Sequence, residues 1–398
     1  MDYINYGKHY IDQEDIDSVI NVLKNYNLTQ GSFVEEFEEK IASYVGSKYA
    51  VVTNSGTAAL HIAYLSLFET NNDLLLITSA NTFVSTVNAG IFQNASVQLI
   101  DIDINTGNIS IEKLTDFFIN SHNLIKNKNI IVVPVHFSGA PCDMQRLKNL
   151  STKYNFSIVE DASHALGASF QCGSKVGSCK YSDLTTFSFH PVKSITTGEG
   201  GAVTTNSYEV YKKLIKLRSH GINKLDDNFE YKSQAFTENT VNPWYYEMQT
   251  LGFNYRLTDI QSVLGISQIK KLNLFINRRR EIAKLYEKYL KNICNIEPLC
   301  PFNNLSSYHL FVVLIDFDKI GITKNYFMNQ LKTIYKIVTQ VHYIPVYRHP
   351  YYFNQFKKNN FHICDSYYKQ ALSLPIFYEL KDEQVKYVVD SISNIING

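Results

Sequence analysis

The sequence predicts an α/β fold in which a mostly parallel central sheet flanked by helices is followed by a smaller C-terminal α+β domain. Three observations predict it. Between residues 47 and 206, short apolar runs recur as YAVV, DLLLIT, SVQLIDID, IIVVPVHF, FSIVED, LTTFSF and GAVTT. Most are separated by segments long enough for a helix, the alternation of a parallel sheet covered on both faces. Past residue 255 the pattern changes: Ile269, Leu272 and Ile276, then Ile282, Leu285, Tyr286 and Tyr289, recur at helical spacing. This predicts a long amphipathic helix or a bent pair leading into a second unit. A length of 398 residues also exceeds what one hydrophobic core usually carries. The expected division is 1–255 and 256–398.

Composition narrows the class. The formal charge of +1 balances 38 basic against 37 acidic residues, which offers no field to hold nucleic acid or a membrane surface. Six scattered cysteines, none in a C-x-x-C pair, indicate neither a zinc cage nor a disulfide framework. No metal is expected, and a reducing cytoplasm fits. The N-terminus MDYINYGKHYIDQEDID is polar, and no apolar run approaches the ~20 residues of a membrane span.

In chain order, YAVVTNSGTAALHIAYLSL reads as strand, tight turn and helix, so the amides of Gly56 and Thr57 can point at an anion from a helix N-terminus. The same turn also reads as an ordinary N-cap at Ser55 or Thr57. TSANTFVSTVNAG places Phe83 at a strand end, as core or as a platform for a flat ring. SIVEDASHALGA ends an apolar strand on Glu160 and Asp161. A carboxylate there faces the crevice of an open sheet, although Asp161 also suits the cap of a helix beginning at Ala162.

SFHPVKSITTGEGGAVTTN sets Lys193 among small and hydroxylated residues between two apolar segments. A lysine is a nucleophile near neutrality when burial or a cationic neighbour disfavours its charge. If its target is the aldehyde of pyridoxal phosphate, the cofactor also needs an acid at the ring nitrogen, donors for the phosphate and a surface for the ring. Asp161, then Gly56, Thr57 and Ser188, then Phe83 are the candidates. His164 and His190 flank the same region, as ligands to a ring oxygen or substrate or as structural histidines.

Residues 223–249, with the only tryptophan, Trp244, form a long polar excursion that folds over a site or onto a second subunit. Arg278, Arg279 and Arg280, with Lys270 and Lys271, read as a solvated helix face.

Eight segments in order, NLTQG, NSGTAALH, VHFSGAPCDM, EDASHALGA, FSFHPVKSITTGEGGAV, RSHG, GFNYRLTDIQSVLG and HYIPVY, make the chain resemble the DegT/DnrJ/EryC1/StrS sugar aminotransferases, pyridoxal-phosphate-dependent transferases of fold type I. The resemblance covers nearly the whole chain. It implies that 1–255 binds the cofactor, that Lys193 bonds its aldehyde, and that Asp161 pairs with the pyridinium. It also implies that Ser188, Gly56 and Thr57 hold the phosphate, that Phe83 stacks on the ring, and that His164 lies near the phenolic oxygen. Asn254 of GFNYR would reach the phosphate of the other subunit, which makes a homodimer obligatory. Thr29, His190, Arg218, Arg256 and His342 are the candidate substrate contacts, with the two arginines meeting donor carboxylate or diphosphate or else serving as structural ion pairs.

Within the family, FSFHPVKSITTGEGG, PWYYEMQTLGFNYRLTDIQSVLG and QVHYIPVY look most like transaminases of pseudaminic acid biosynthesis. Those enzymes transfer the amino group of L-glutamate to C4 of UDP-2-acetamido-2,6-dideoxy-β-L-arabino-hex-4-ulose. The alternatives are another nucleotide-sugar 4-aminotransferase, acting on a D-gluco ketosugar of the legionaminic or N-glycan pathways, and a non-catalytic cofactor-binding sensor. Tyr347 stands where many relatives carry a histidine. Only one of the seven arginines, Arg348, lies in the final hundred residues, so a C-terminal arginine fork for the donor is poorly supplied.

Overall fold

A computed structural model describes residues 2–68, 73–121, 125–224, 228–357 and 359–397. The apolar runs become one seven-stranded sheet: β1 (Tyr49–Thr53), β2 (Leu74–Ser79), β3 (Ser96–Ile100), β4 (Asn129–Val133), β5 (Ser157–Asp161), β6 (Leu184–Ser188) and β7 (Gly201–Thr205). Their order is β1-β7-β6-β5-β4-β2-β3. Strands β2 to β6 are parallel, and only β7 runs against its neighbours β1 and β6.

Alternation along the strands splits the core into two layers. Val51, Leu74, Leu76, Ile131 and Val133 pack beneath helix α1 (Gly56–Leu67), whereas Val52, Leu75, Ile77, Ile130 and Val132 face the opposite layer with Phe37 and Ile41. Both faces are covered, which is why the runs are apolar almost throughout. Past α1, helix α2 (Val84–Ile91) follows β2.

The helical pattern after residue 255 forms a single helix, α3 (Asp259–Leu290), and not a bent pair. Its Leu272 and Ile276 belong to the sheet's core, while Ile282, Tyr286 and Leu290 belong to a second core. That second core covers an antiparallel sheet of β8 (Ile296–Pro298), β9 (Phe311–Ile315) and β10 (Ala371–Leu374), and Ile4 from the N-terminal end joins it.

The arginine run departs from the expected solvated face. Arg278 pairs with Asp382 at 2.7 Å, and Arg280 Nε donates to the Ser306 carbonyl at 3.0 Å. Arg279 is buried, and its Nη1 donates to the carbonyls of Tyr308, His309 and Ile376 at 3.3, 3.2 and 2.9 Å. Burial pushes its pKa down to about 10. The physical reason is that these carbonyls lie where backbone partners are missing, and a guanidinium fork satisfies several at once.

The 223–249 excursion is partly ordered, with residues 225–227 outside the described set. Phe236–Thr237 pairs with Thr240–Val241, and Glu247–Met248 pairs with Ile222–Asn223. Glu247 accepts from the amides of Glu230 and Tyr231 and from the Tyr245 hydroxyl, each at 2.8 Å, which leaves Trp244 73% exposed.

Gly265 shows how closely α3 meets this core. A Cβ there would lie 2.3 Å from the fully buried Phe37 ring. Glycine to alanine in a helix interior ordinarily stabilises by about 1 kcal/mol. Here the sign reverses: Gly265→Ala is expected to destabilise by about 1–3 kcal/mol, the cost of overpacking, in urea denaturation. A gain in stability would refute this packing.

Candidate active site

The carboxyl ends of parallel strands meet at one edge of the sheet, and the candidate residues gather there. At the end of β1 the chain turns into α1, whose N-cap is Ser55: its Oγ accepts the Ala58 amide at 3.1 Å. The cap leaves the amides of Gly56 and Thr57 without an intrahelical acceptor, the condition for anion binding. The two readings of this turn are therefore compatible.

Glycine is required at two points of this cradle by close approach. A Cβ on Gly56 would lie 2.9 Å from Ser188 Cβ, at the end of β6, and one on Gly201 would lie 2.5 Å from the Ser55 carbonyl oxygen. The turn thus touches the ends of β6 and β7, which brings Ser188 beside Gly56 and Thr57.

Alternation on β5 separates its two acids. Glu160 is fully buried, where Oε2 accepts from His136 Nε2 at 2.7 Å and Oε1 from Ser182 and Thr185. Asp161 faces the cleft and is 4% exposed. Its Oδ2 accepts from Thr86 Oγ1 at 2.7 Å, and its Oδ1 from the amide and hydroxyl of Ser163 at 3.1 and 2.7 Å. Asp161 has no ion-pair partner among the described residues. No helix begins at Ala162: a turn follows, so the capping reading is replaced by an Asx-type bond to Ser163. A buried carboxylate held by neutral donors costs free energy until a cation meets it, and a protonated pyridine nitrogen is such a cation. With the anion cradle and Lys193, this fits pyridoxal phosphate.

Lys193 lies in the loop after β6, its amide bonded to the His190 carbonyl at 2.9 Å. Burial pushes its pKa down to about 8, against the upward pull of Asp161. Phe83, at the N-cap of α2, keeps 54% of its surface open, and its ring lies 5.7 Å from that of Tyr343. The cleft encloses about 460 Å³.

His164 and His342 line it as well. The His164 ring bonds Ser138 and Tyr343, and His342 Nδ1 lies 2.8 Å from Ser373 Oγ. Burial, with the charge of Lys193 adding to it, holds His164 well below its ordinary pKa and His342 down at about 3. Both are neutral imidazoles. His190 sits at the exposed mouth.

Four candidates lie outside this cleft in the single chain. Thr29 is exposed in the turn before helix Ser32–Val45. Arg218 is paired with Glu38 and donates to the Val52 carbonyl at 3.0 Å. Arg256 lines a separate groove with Arg218. Asn254 is exposed beside the Ser219 backbone. Tyr347 and Arg348 both bond Asp365.

The sequence reading missed Thr86, His309 and Tyr343. Tyr343 adjoins His342 in HYIPVY, a signal that could have found it. Thr86 and His309 carry no local signal, because strand and loop packing alone bring them to Asp161 and His164.

The DegT/DnrJ/EryC1/StrS aminotransferase family description matches residues 9–393. A Campylobacter jejuni protein named UDP-4-amino-4,6-dideoxy-N-acetyl-beta-L-altrosamine transaminase is 38% identical over 396 residues, 99% of this chain and 97% of that protein. Helicobacter pylori PseC, an aminotransferase of pseudaminic acid biosynthesis, superposes with a TM-score of 0.88 at 31% identity, covering 99% of each chain. The PLP form of a putative sugar aminotransferase, Spr1654 of Streptococcus pneumoniae, gives 0.85 at 25% identity, covering 99% of this chain and 98% of that one. The chain belongs to the DegT/DnrJ/EryC1/StrS aminotransferase family and is a pyridoxal-phosphate-dependent aminotransferase of fold type I.

The Lys193 amine is uncharged above about pH 8. The rate at which cofactor-free protein develops a visible band with pyridoxal phosphate is therefore expected to rise with pH through that value. Borohydride should then fix the cofactor on Lys193, as read by peptide mass spectrometry. A flat pH profile, or an adduct on another lysine, contradicts the assignment.

Proposed function

We propose that this aminotransferase moves the amino group of L-glutamate to C4 of a UDP-linked 4-keto-6-deoxy-N-acetylhexosamine, UDP-2-acetamido-2,6-dideoxy-β-L-arabino-hex-4-ulose, a step of pseudaminic acid biosynthesis. The observation that carries the substrate is the full-length likeness to transaminases named for the 4-amino product. The cleft supports the reaction, since Lys193, Asp161 and the Gly56–Ser188 cradle open into one space.

Each residue has a task. The Gly56 and Thr57 amides and the Ser188 hydroxyl bind the phosphate, Phe83 lies against the ring, and Asp161 keeps the ring nitrogen protonated. Pyridoxal phosphate, when bound, supplies an aldehyde for the amino group and a ring that withdraws electrons. Lys193 holds the cofactor between turnovers. Once displaced, its amine takes the proton from the donor's α-carbon and later delivers one to C4 of the sugar. The face from which Lys193 reaches C4 sets the configuration of the new amine. His164 stands on the side of the phenolic oxygen.

In this reading residues 1–255 form the cofactor domain and 256–398 the smaller one, which brings His342 to the cleft. Thr29, His190, Arg218 and Arg256 are proposed substrate contacts, and those outside the cleft act across a homodimer in which Asn254 completes the partner's phosphate pocket. Six free cysteines, and the absence among described residues of a helix able to cross a membrane, accord with the cytoplasm.

Three outcomes are expected. With glutamate as donor, the L-arabino ketosugar is aminated faster than a D-gluco-series 4-ketosugar in side-by-side assays, and the reverse order would transfer the enzyme to another pathway. Asp161→Asn keeps the Ser163 bond and the fold but loses turnover by on the order of 10²-fold, the scale of one electrostatic contact at a reacting group. Near-normal turnover would reduce Asp161 to a turn residue. Mixing inactive Lys193→Ala with an inactive Asn254 variant, under proven subunit exchange, restores activity, because one pocket of the heterodimer collects both lesions and the other neither. Failure to recover activity would count against shared pockets.

A further inference from the structure

A chain of hydrogen bonds runs along the wall of the cleft facing Lys193. The Ser138 amide donates to His164 Nδ1 at 3.2 Å, so that nitrogen carries a lone pair and no proton. A neutral imidazole then keeps its proton on Nε2. Nε2 lies 2.7 Å from Tyr343 Oη, so the ring N–H donates and the phenol oxygen accepts.

The phenol is fixed from several sides. The Tyr343 amide donates to Asn81 Oδ1 at 3.1 Å, and the His309 ring backs His164 at 4.4 Å between centroids. Among the described residues, no acceptor takes the phenol's own proton. Tyr343 lines the cleft with Lys193 and Asp161. Burial raises the phenol's pKa, so it serves as a donor and not as a base.

We propose that Tyr343 is a further catalytic residue, whose O–H donates to the C4 ketone oxygen of the sugar while the incoming amine adds at C4; the oxygen then leaves as water with the two protons the amine gives up, before Lys193 delivers a proton to C4, and His164 is the positioning residue that turns the phenol toward that oxygen. This rests on the ketosugar acceptor proposed above. A donor aimed at that oxygen gains strength as negative charge builds on it during attack at the carbon. Tyr343 keeps its proton throughout. The amino-acid half meets a ketone oxygen only when water adds and 2-oxoglutarate leaves, after the proton has moved from the α-carbon, so the loss of the visible band on adding glutamate does not use the hydroxyl.

The test has two arms. In cofactor-free protein labelled with ¹⁵N-histidine, with His164 assigned by the signal lost in His164→Gln, the Nε2–H tautomer is expected, and its Nε2 signal should move in Tyr343→Phe. An Nδ1–H tautomer overturns the relay whatever the substrate. In the holoenzyme, Tyr343→Phe should leave cofactor affinity, the resting visible band and the rate at which glutamate bleaches that band within about twofold of wild type. The half-reaction with the ketosugar should slow on the order of 10²-fold, the usual cost of one such donor. Equal slowing of the bleaching by glutamate and of the half-reaction with the ketosugar marks a structural role, and a shifted resting band places the hydroxyl on the cofactor's oxygen instead; either overturns the proposal. A wild-type enzyme that accepts glutamate but aminates no ketosugar removes the acceptor and the assignment with it, a failure visible apart from the tautomer.

Discussion

The site is organised around the buried carboxylate of Asp161, which the sheet delivers to its carboxyl edge within reach of the charge of Lys193 but not in an ion pair with it. Glu160, one residue earlier on the same strand, falls on the other face and is closed off by His136, Ser182 and Thr185. Asp161 instead accepts hydrogen bonds from Thr86 and Ser163 alone among the described residues, which orient it. In the proposed function a protonated ring nitrogen is the partner this carboxylate takes, so part of the cofactor's affinity would come from pairing a buried acid. The depressed pKa of Lys193 is the counterpart: burial makes the lysine reluctant to carry charge, against the upward pull of Asp161.

What the sequence made legible follows the ranges over which physics acts. Strand alternation, the turn into α1, and the glycine-rich surroundings of Lys193 are local, and each apolar run between residues 47 and 206 became a strand of the sheet. Asp161 was legible as one of two meanings, and only the absence of a helix at Ala162 separates them. The arginine run was misread because helical periodicity shows which face is apolar and says nothing of carbonyls brought against it from residues 308–376, which Arg279 satisfies. Thr86, 75 residues before Asp161, and Tyr343, 179 residues after His164, meet their partners only through the tertiary fold.

The two cores have different parts in the chemistry. In the proposed function the sheet supplies the groups for a phosphate, a ring and an aldehyde, on strand ends and in the turns, loops and helix starts that follow them. The region beyond α3 supplies His309, His342 and Tyr343, which close the cleft from the other side. Since α3 runs through both cores, and Arg279 on it grips the backbone that carries His309, the distance between the two walls is set by one continuous element. A side chain at the 309 end is therefore held against His164 by the fold as a whole, as a preorganised polar wall requires.

That wall also bears on how a dicarboxylate donor is received. Lys193 is the only lysine or arginine among the described residues lining the cleft, and it is committed to the cofactor. Arg218 is spent on Glu38, Arg348 on Asp365, and Arg279 on three carbonyls. Arg256 opens onto another groove, close in sequence to Asn254. In the proposed function a carboxylate of glutamate that enters here meets imidazoles and hydroxyls, with Glu199 also on the lining, and these bind it more weakly than a guanidinium fork would. The same imidazoles and hydroxyls would suit the hydroxyls and amide of the proposed sugar. In a cleft so poor in cations, the proposed donor and diphosphate would draw charge from outside its walls, and in the proposed dimer Arg256, two residues from Asn254, is placed in the chain to supply it.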